Sequence, residues 1–157
     1  MTPAIALLKK AGVEHRLLAF DHHQSAPSYG LEAATLLDLP VQRVFKTLVV
    51  RLGNGEFVVA IIPVSALLSL KQMARATGAK KVEMAPPAAV ERSTGYLLGG
   101  VSQLAQKKPL QTVIDNAARD HLSIFVSAGR RGLEVELKPE DLKLLTAASY
   151  AELCQLA

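Results

Sequence analysis

The hydrophobic pattern is clearest in two strand-like, mostly apolar runs, Val44 to Leu52 (VFKTLVVRL) and Phe57 to Ile62, on either side of Gly53-Asn54-Gly55-Glu56. Two such runs joined by a short glycine-containing loop predict a β-hairpin. Leu133 to Leu137 alternates cleanly with a two-residue period, Leu133, Val135 and Leu137 on one face and Glu134 and Glu136 on the other. His15 to Phe20, Lys80 to Met84, Leu110 to Ile114 and Ser123 to Ser127 read as further strands, and Gly129-Arg130-Arg131-Gly132 as a tight basic turn. Helical segments are marked by their ends. Thr2-Pro3 opens one that carries Ile5, Leu7 and Leu8 and stops at Gly12. Leu31 to Leu37 ends before Pro40, Ser69 caps Leu70 to Thr77 ahead of Gly78, Pro86-Pro87 opens Ala88 to Arg92, and Pro139 begins a helix through Leu145. Ser149 followed by Glu152 has the spacing of a capping box and predicts a last helix bearing Cys154, which packs rather than reacts. Asn116 to Asp120 is too short to assign. Strands and helices interleave without a βαβ rhythm, so the expected fold is α+β with a mixed sheet, in one domain over residues 1–157.

Composition narrows the class. Half of the residues (50%) are hydrophobic and 20% charged, a globular balance; aromatics are 4% and tryptophan is absent, so the core must be aliphatic. A net charge of +4 and a pI of about 9.3 are compatible with a nucleic-acid partner without being diagnostic of one. The single cysteine excludes an internal disulfide and any cysteine-based metal cluster. No apolar run reaches membrane-spanning length and no leader is recognisable, so a soluble cytoplasmic protein is expected. His22 and His23 fall in a polar loop where neighbours point opposite ways, and the reading is a solvated loop. There is no Walker loop, no Gly-x-Gly-x-x-Gly opening a helix, no convincing metal spacing and no triad signature, so no cofactor is expected.

Two features carry candidate chemistry. Lys46 shares a strand face with Val44, Leu48 and Val50. Such an ammonium is either an edge-strand lysine that blocks aggregation or snorkels to water, or a cation aimed into a pocket at a phosphate or carbonyl. The second feature is Thr94 to Lys108, TGYLLGGVSQLAQKK, where Thr94, Gly95, Gly99, Gly100 and Ser102 crowd around Tyr96 and the run closes on Lys107 and Lys108. Glycines there let backbone N–H groups approach an anion or a developing oxyanion, and the lysines favour a phosphate-bearing partner. A Gly-Gly turn between two strands has the same spacing, and the spacing alone favours that plainer reading.

Taken together these residues resemble the YbaK family of free-standing aminoacyl-tRNA deacylases, related to the editing domain of bacterial prolyl-tRNA synthetases. The matching segments run in family order: Met1-Thr2-Pro3-Ala4 with Leu7-Leu8-Lys9-Lys10; Tyr29 through Ala34; Phe45-Lys46-Thr47-Leu48; Lys80 through Ala85; Ser93-Thr94-Gly95-Tyr96 with Gly99-Gly100; Gln106-Lys107-Lys108; and Ser127 through Leu133. The resemblance implies a curved mixed, barrel-like sheet flanked by short helices. It implies as substrate a proline tRNA mischarged with cysteine, and to a lesser extent cysteine on its own tRNA. It implies that the substrate's own thiol attacks the ester carbonyl, with neither an enzyme nucleophile nor a metal. Prolyl-tRNA synthetase is the candidate protein partner; a membrane is not, and oligomeric state is not legible.

Residue by residue, Lys46 matches the family's key lysine and is expected to hold the terminal nucleotide or its phosphate. Gly99, Gly100 and Val101 match the glycine loop, whose N–H groups would cradle the carbonyl. Ser127 and Gly129 match the small-residue strand end that lines the pocket, and Glu134 would orient the substrate amine or stand as an exposed strand glutamate. Thr94, Tyr96 and Ser102 join the expected substrate-binding set. Lys80, Lys81, Lys107, Lys108, Arg130 and Arg131 are the candidates for tRNA backbone contact. Two departures bear on the loop. The family form Gly-Gly-x-Ser-Pro-x-Gly here has Gln103 for the proline and Ala105 for the last glycine. Relatives also often carry tyrosine where this chain has Phe20, and Phe20 is left out of the expected site. Two other readings stay open: a deacylase of the same superfamily that prefers alanine or serine and uses water, and a non-catalytic tRNA or aminoacyl-group binding module.

Overall fold

The structure, a computed structural model, describes residues 2–21, 29–96, 100–106 and 109–155. His22 and His23, read above as a loop, lie outside the described residues. Helix α1 (Pro3–Ala11) is capped as its sequence predicts: the Thr2 hydroxyl accepts from the Ile5 N–H at 3.3 Å and Gly12 ends it in the left-handed region. The same hydroxyl donates to the Ala128 carbonyl, which fastens the start of the chain to a strand more than a hundred residues on. Strand β1 (His15–Ala19) follows, then α2 (Tyr29–Leu36) and a 3₁₀ turn at Val41–Arg43.

The hairpin forms as its two apolar runs and the turn between them predict. Strands β2 (Phe45–Leu52) and β3 (Phe57–Pro63) pair antiparallel, with Lys46 opposite Ile62. After a two-residue β4 (Leu67–Leu68), α3 (Leu70–Thr77) starts at Ser69, whose hydroxyl accepts from the Gln72 N–H, and stops at Gly78. Then come β5 (Val82–Met84), α4 (Pro87–Thr94), β6 (Gln111–Asp115), a 3₁₀ turn over Asn116–Asp120, β7 (Ile124–Arg130), β8 (Leu133–Leu137) and α5 (Pro139–Thr146).

The last helix is a correction. Ser149–Ala151 is a strand, β9, parallel to β6, and Cys154–Gln155 is a strand, β10, antiparallel to β4. Pairing with partners distant in sequence overrides the local capping pattern. The basic turn is also tighter than expected, because β7 runs on through Gly129 to Arg130 by way of a bulge between Ser127 and Arg130.

The five-stranded sheet is mixed, as expected, and the sheets do not close into a barrel. Five strands lie in the order β5-β2-β3-β6-β9, three in the order β1-β8-β7, and two in the pair β10-β4. The larger two meet at one parallel bridge, Val44 to Phe125. Arg43 staples this seam. Its guanidinium lies 4.8 Å from the Phe125 ring centroid and donates to the Ser123 carbonyl, the Ser123 hydroxyl and Glu136. Burial pushes the Glu136 carboxyl up, but bonds from Ser123, Arg16 and Arg43 outweigh it and hold the group below its ordinary value.

The main aliphatic core lies between α1 and the inner faces of the sheets and includes Leu8, Phe45, Val49, Ile61, Val126, Val135 and Leu137. The three alternating β8 residues Leu133, Val135 and Leu137 all point into it, as their period predicts. A second cluster around Val50, Ile62 and Met73 lies on the far side of β2. A third, of Ala34, Val44, Val64 and Phe125, lies under α2 at the seam.

Candidate functional site

The site follows from alternation at the seam. Val44 and Phe125 are bridged and both belong to the cluster beneath α2. Two residues further along each strand, Lys46 and Ser127 therefore come to the same face on neighbouring strands. Ser127 stands directly opposite Glu134 on β8, which in turn stands next to Leu18 on β1. A lysine, a serine and a glutamate thus form one row across three adjacent strands, on the face turned away from the main core.

Lys46 is half-buried, and burial lowers its ammonium from the ordinary lysine value, with the Cys154 thiol acting in the opposite sense. Cys154 was expected to pack, and it does so against the second cluster. Burial first, then the charge and hydrogen bond of Asp115, push its thiol up to about 12, so it is not a poised nucleophile. Asp115 itself accepts from the N–H groups of Ala117 and Leu153. Sequence reasoning missed this Asp115–Cys154–Lys46 neighbourhood, because it depends on β10 returning to the sheet.

Glu134 is only 7% exposed, and its carboxyl bonds to no described residue. Burial alone pushes it up to about 8. The alternative of an exposed strand glutamate is therefore ruled out; the side chain is a buried, unpartnered carboxyl beside Ser127. Ser127 is partly exposed and its hydroxyl accepts from the Gly129 N–H at 3.2 Å. Gly129, at the bulge, has φ +106°, and a Cβ there would stand 2.8 Å from the Tyr96 ring and 2.9 Å from Thr2.

The glycine loop packs against the backbone at the end of β7. A Cβ on Gly100 would lie 2.5 Å from the Arg130 Cα and 2.7 Å from the Arg131 nitrogen, a backbone-on-backbone contact only glycine allows. The N–H groups of Gly100 and Val101 donate to nothing among the described residues. Gly99, Lys107 and Lys108 lie outside the described residues. Gly100→Ala is expected to destabilise the protein by about 1–3 kcal/mol through overpacking, read as a shift in the urea midpoint at unchanged slope. A midpoint equal to the parent's would refute the contact.

Three expected binding residues face inward instead. Thr94 donates to the Val90 carbonyl and accepts from the Tyr96 N–H. Tyr96 lies in the main core with its hydroxyl 2.6 Å from the Leu104 carbonyl, and burial pushes the phenol up to about 12. Ser102 is 1% exposed and accepts from the Leu104 N–H. These side chains shape the loop from within. Gln103 donates to Thr112, and Gln106 to the Ser102 carbonyl, leaving both amide oxygens buried without partners. Ala105, which replaces the family glycine, sits at φ +55°. Because that region disfavours a Cβ, Ala105→Gly is expected to stabilise the protein by about 0.5–1 kcal/mol, measured by chemical denaturation; a loss of stability would contradict the strain.

The basic candidates divide. Arg131 is held in a two-pronged pair by Glu32 of α2, at 3.1 and 3.3 Å, with Glu32 buried. Arg130 is exposed at the mouth of the site. Lys80 and Lys81 are exposed beside the hairpin tip, where the Gly53 N–H donates to the Lys81 carbonyl. At the rise of an extended strand they are about 20 Å along β2 from Lys46. Among the described residues no group of three or more His, Cys, Asp or Glu is placed to hold a metal, and no helix is long and apolar enough to cross a membrane.

Comparison with known proteins gives this arrangement a lineage. Residues 23–145 match the model of the aminoacyl-tRNA editing domain. A protein of Enterococcus faecalis (strain ATCC 700802 / V583), named as a candidate Cys-tRNA(Pro)/Cys-tRNA(Cys) deacylase, EbsC, is 37% identical over 155 residues, or 97% of this chain and 92% of the relative. A crystal structure of a hypothetical protein, APE2540, superposes with a TM-score of 0.85 at 27% identity, covering 98% of this chain and 99% of that one. A crystal structure of a candidate trans-editing enzyme for prolyl-tRNA synthetase shares the fold, with a TM-score of 0.82 at 22% identity over 98% and 95% of the two chains.

Proposed function

As the chain belongs to the aminoacyl-tRNA editing domain family, we propose that it is a deacylase that cleaves the ester of cysteine wrongly joined to a proline tRNA, and of cysteine on its own tRNA. The observation that carries this reading is the row Lys46, Ser127 and Glu134, together with the N–H groups of Gly100 and Val101, which have no partner among the described residues. A half-buried cation, a buried carboxyl and free backbone donors suit an aminoacyl ester, which presents a phosphate, an ammonium and a carbonyl. The name of the Enterococcus relative supports cysteine as the amino acid.

In this mechanism Lys46 holds the phosphate or sugar of the terminal nucleotide and so fixes the ester over Ser127. Glu134, which holds a proton in the free site at neutral pH, gives it up as the substrate ammonium enters and pairs with that cation. The substrate's thiol sulfur attacks its own carbonyl while the N–H groups of Gly100 and Val101 receive the developing negative charge. A carbon–sulfur bond forms, the ester carbon–oxygen bond breaks, and the thiol proton ends on the departing ribose oxygen. The products are a thiolactone and free tRNA. No protein nucleophile is required, in keeping with a Cys154 thiol pushed up to about 12. Arg130, Lys80 and Lys81 contact the tRNA backbone, and prolyl-tRNA synthetase is the partner proposed to select the tRNA body, in the cytoplasm.

A deacylation time course on proline tRNA charged with cysteine, serine or alanine tests the reading. Cysteine is expected to be released far faster than serine, with alanine retained. Rapid release of alanine, which has no side-chain nucleophile, would replace thiol attack with activated water. Binding of all three without release would overturn the enzyme.

A further inference from the structure

We propose that the row ends in a closed pocket for a free α-ammonium, so that the protein acts on aminoacyl-tRNA and spares tRNA esters whose amino group is acylated, peptidyl-tRNA included. This rests on the deacylase reading above and names the class of esters that the same site refuses.

Of the buried acids, all but one find their partners within the chain. Among the described residues three acidic side chains are buried: Glu32, Asp115 and Glu134. Glu32 is paired by the Arg131 guanidinium. Asp115 accepts from the N–H groups of Ala117 and Leu153. Glu134 has neither a cation nor a donor among the described residues. A buried polar group left unpaired costs the free fold stability, and its partner is then one that arrives from outside. No group of three or more His, Cys, Asp or Glu among the described residues gathers to hold a metal. A single carboxyl in an apolar setting suits an organic cation instead.

The order of the row identifies that cation. Lys46, Ser127 and Glu134 stand on successive strands. Adjacent strands lie about 4.8 Å apart, so the two ends of the row are separated by about 10 Å at the backbone. An aminoacyl ester presents its groups in the same order: nucleotide, carbonyl, amine. With the nucleotide at Lys46 and the carbonyl over Ser127, the α-nitrogen falls at Glu134.

Beyond Glu134 the row is closed. Its next member is Leu18 on β1. Leu18 packs against the cluster of Ala34, Val44, Val64 and Phe125 beneath α2. An acyl group on the α-nitrogen would extend toward that apolar wall. Acylation also removes the charge. An amide nitrogen carries no proton charge, so it neither offsets the burial that pushes Glu134 up to about 8 nor draws the carboxyl's proton away. Space and charge therefore act together against an acylated substrate. Cysteine keeps its thiol when its amine is acylated, so the discrimination comes from the protein and not from the reaction.

The test compares cysteinyl-tRNA with N-acetylcysteinyl-tRNA, which share thiol, carbonyl and tRNA. The parent is expected to favour the free amine by about a hundred-fold or more in kcat/KM. Glu134→Gln keeps the shape and removes the carboxylate. It is expected to cut that preference by about ten-fold or more, chiefly by slowing the free amine. Glu134→Asp retains a carboxylate and is expected to restore part of the preference. A substitution that only disturbed the fold would slow both esters alike and leave their ratio unchanged. Parent rates within about three-fold of each other, a parent that prefers the acetylated ester, or a preference that survives Glu134→Gln would each overturn the pocket while leaving the deacylase standing. If the parent cleaves neither ester, the deacylase reading fails, and amide NMR with S-methylcysteine methyl ester and its N-acetyl derivative decides the pocket. Shifts at Ser127 and Glu134 with the free amine alone support it; shifts with both compounds, or with neither, overturn it.

Discussion

Lys46→Ala is expected to slow release of cysteine from its tRNA by two orders of magnitude or more, without unfolding the protein. An electrostatic anchor in a water-poor site is worth roughly 10²–10³ in rate, as removal of single oxyanion donors shows in other enzymes. Lys46 sits in a half-buried position, where burial lowers its ammonium and where it makes no ion pair with a described carboxylate. Its charge is thus a cost to the free fold, and alanine relieves that cost. The melting temperature of Lys46→Ala should match or exceed the parent's while the single-turnover rate collapses. Lys46→Arg keeps the charge but changes its shape and is expected to recover part of the rate. A substituted protein that retains more than about a third of the parent's single-turnover rate would remove Lys46 from the reaction.

Glu134→Gln is expected to act on stability and activity in opposite directions. The buried carboxyl titrates near 8, against an ordinary value of 4.5. Between those values the folded protein holds a proton that the unfolded chain has released. Stability therefore falls as pH rises through this window, and the loss is complete above about pH 8. Glutamine removes the titration. Urea unfolding at pH 4, 6 and 8.5 should show little difference at the lowest pH and a gain of about 2–4 kcal/mol for the variant at the highest. Parallel stability curves for the two proteins would show that Glu134 is not the buried acid. Activity should drop in the variant, because an amide holds the substrate's ammonium less tightly than a carboxylate.

What was legible in the sequence was local or carried by family resemblance. The hairpin, α3 between Ser69 and Gly78, and the inward period of Leu133, Val135 and Leu137 each depend on residues within one segment. Lys46 stood out because an ammonium on an apolar strand face is locally anomalous. The failures share a cause. Ser149 and Glu152 have capping-box spacing, yet Ser149–Ala151 pairs with β6, a partner more than thirty residues earlier. Thr94, Tyr96 and Ser102 looked like ligand groups because nothing in the sequence shows that their hydroxyls bond the loop's own backbone. Glu134 has the same pattern as Glu136, but only Glu134 falls where it is buried without an arginine partner; Glu136 meets Arg16 and Arg43. Arg131 read as a free phosphate contact because Glu32 lies about a hundred residues away.

The seam at Val44 and Phe125 has a further consequence. Lys46 belongs to the five-stranded sheet, whereas Ser127 and Glu134 belong to the three-stranded one. Among the described residues one bridge joins them, reinforced by Arg43 and by the aliphatic core that both sheets share. Each sheet has its own ladder of pairing, so the two are units joined by side-chain packing rather than by a continuous ladder. The groups proposed to act on the ester are divided between those units. In the proposed mechanism activity then depends on how the two sheets sit against each other, and a lesion at the Arg43 staple is expected to lower it.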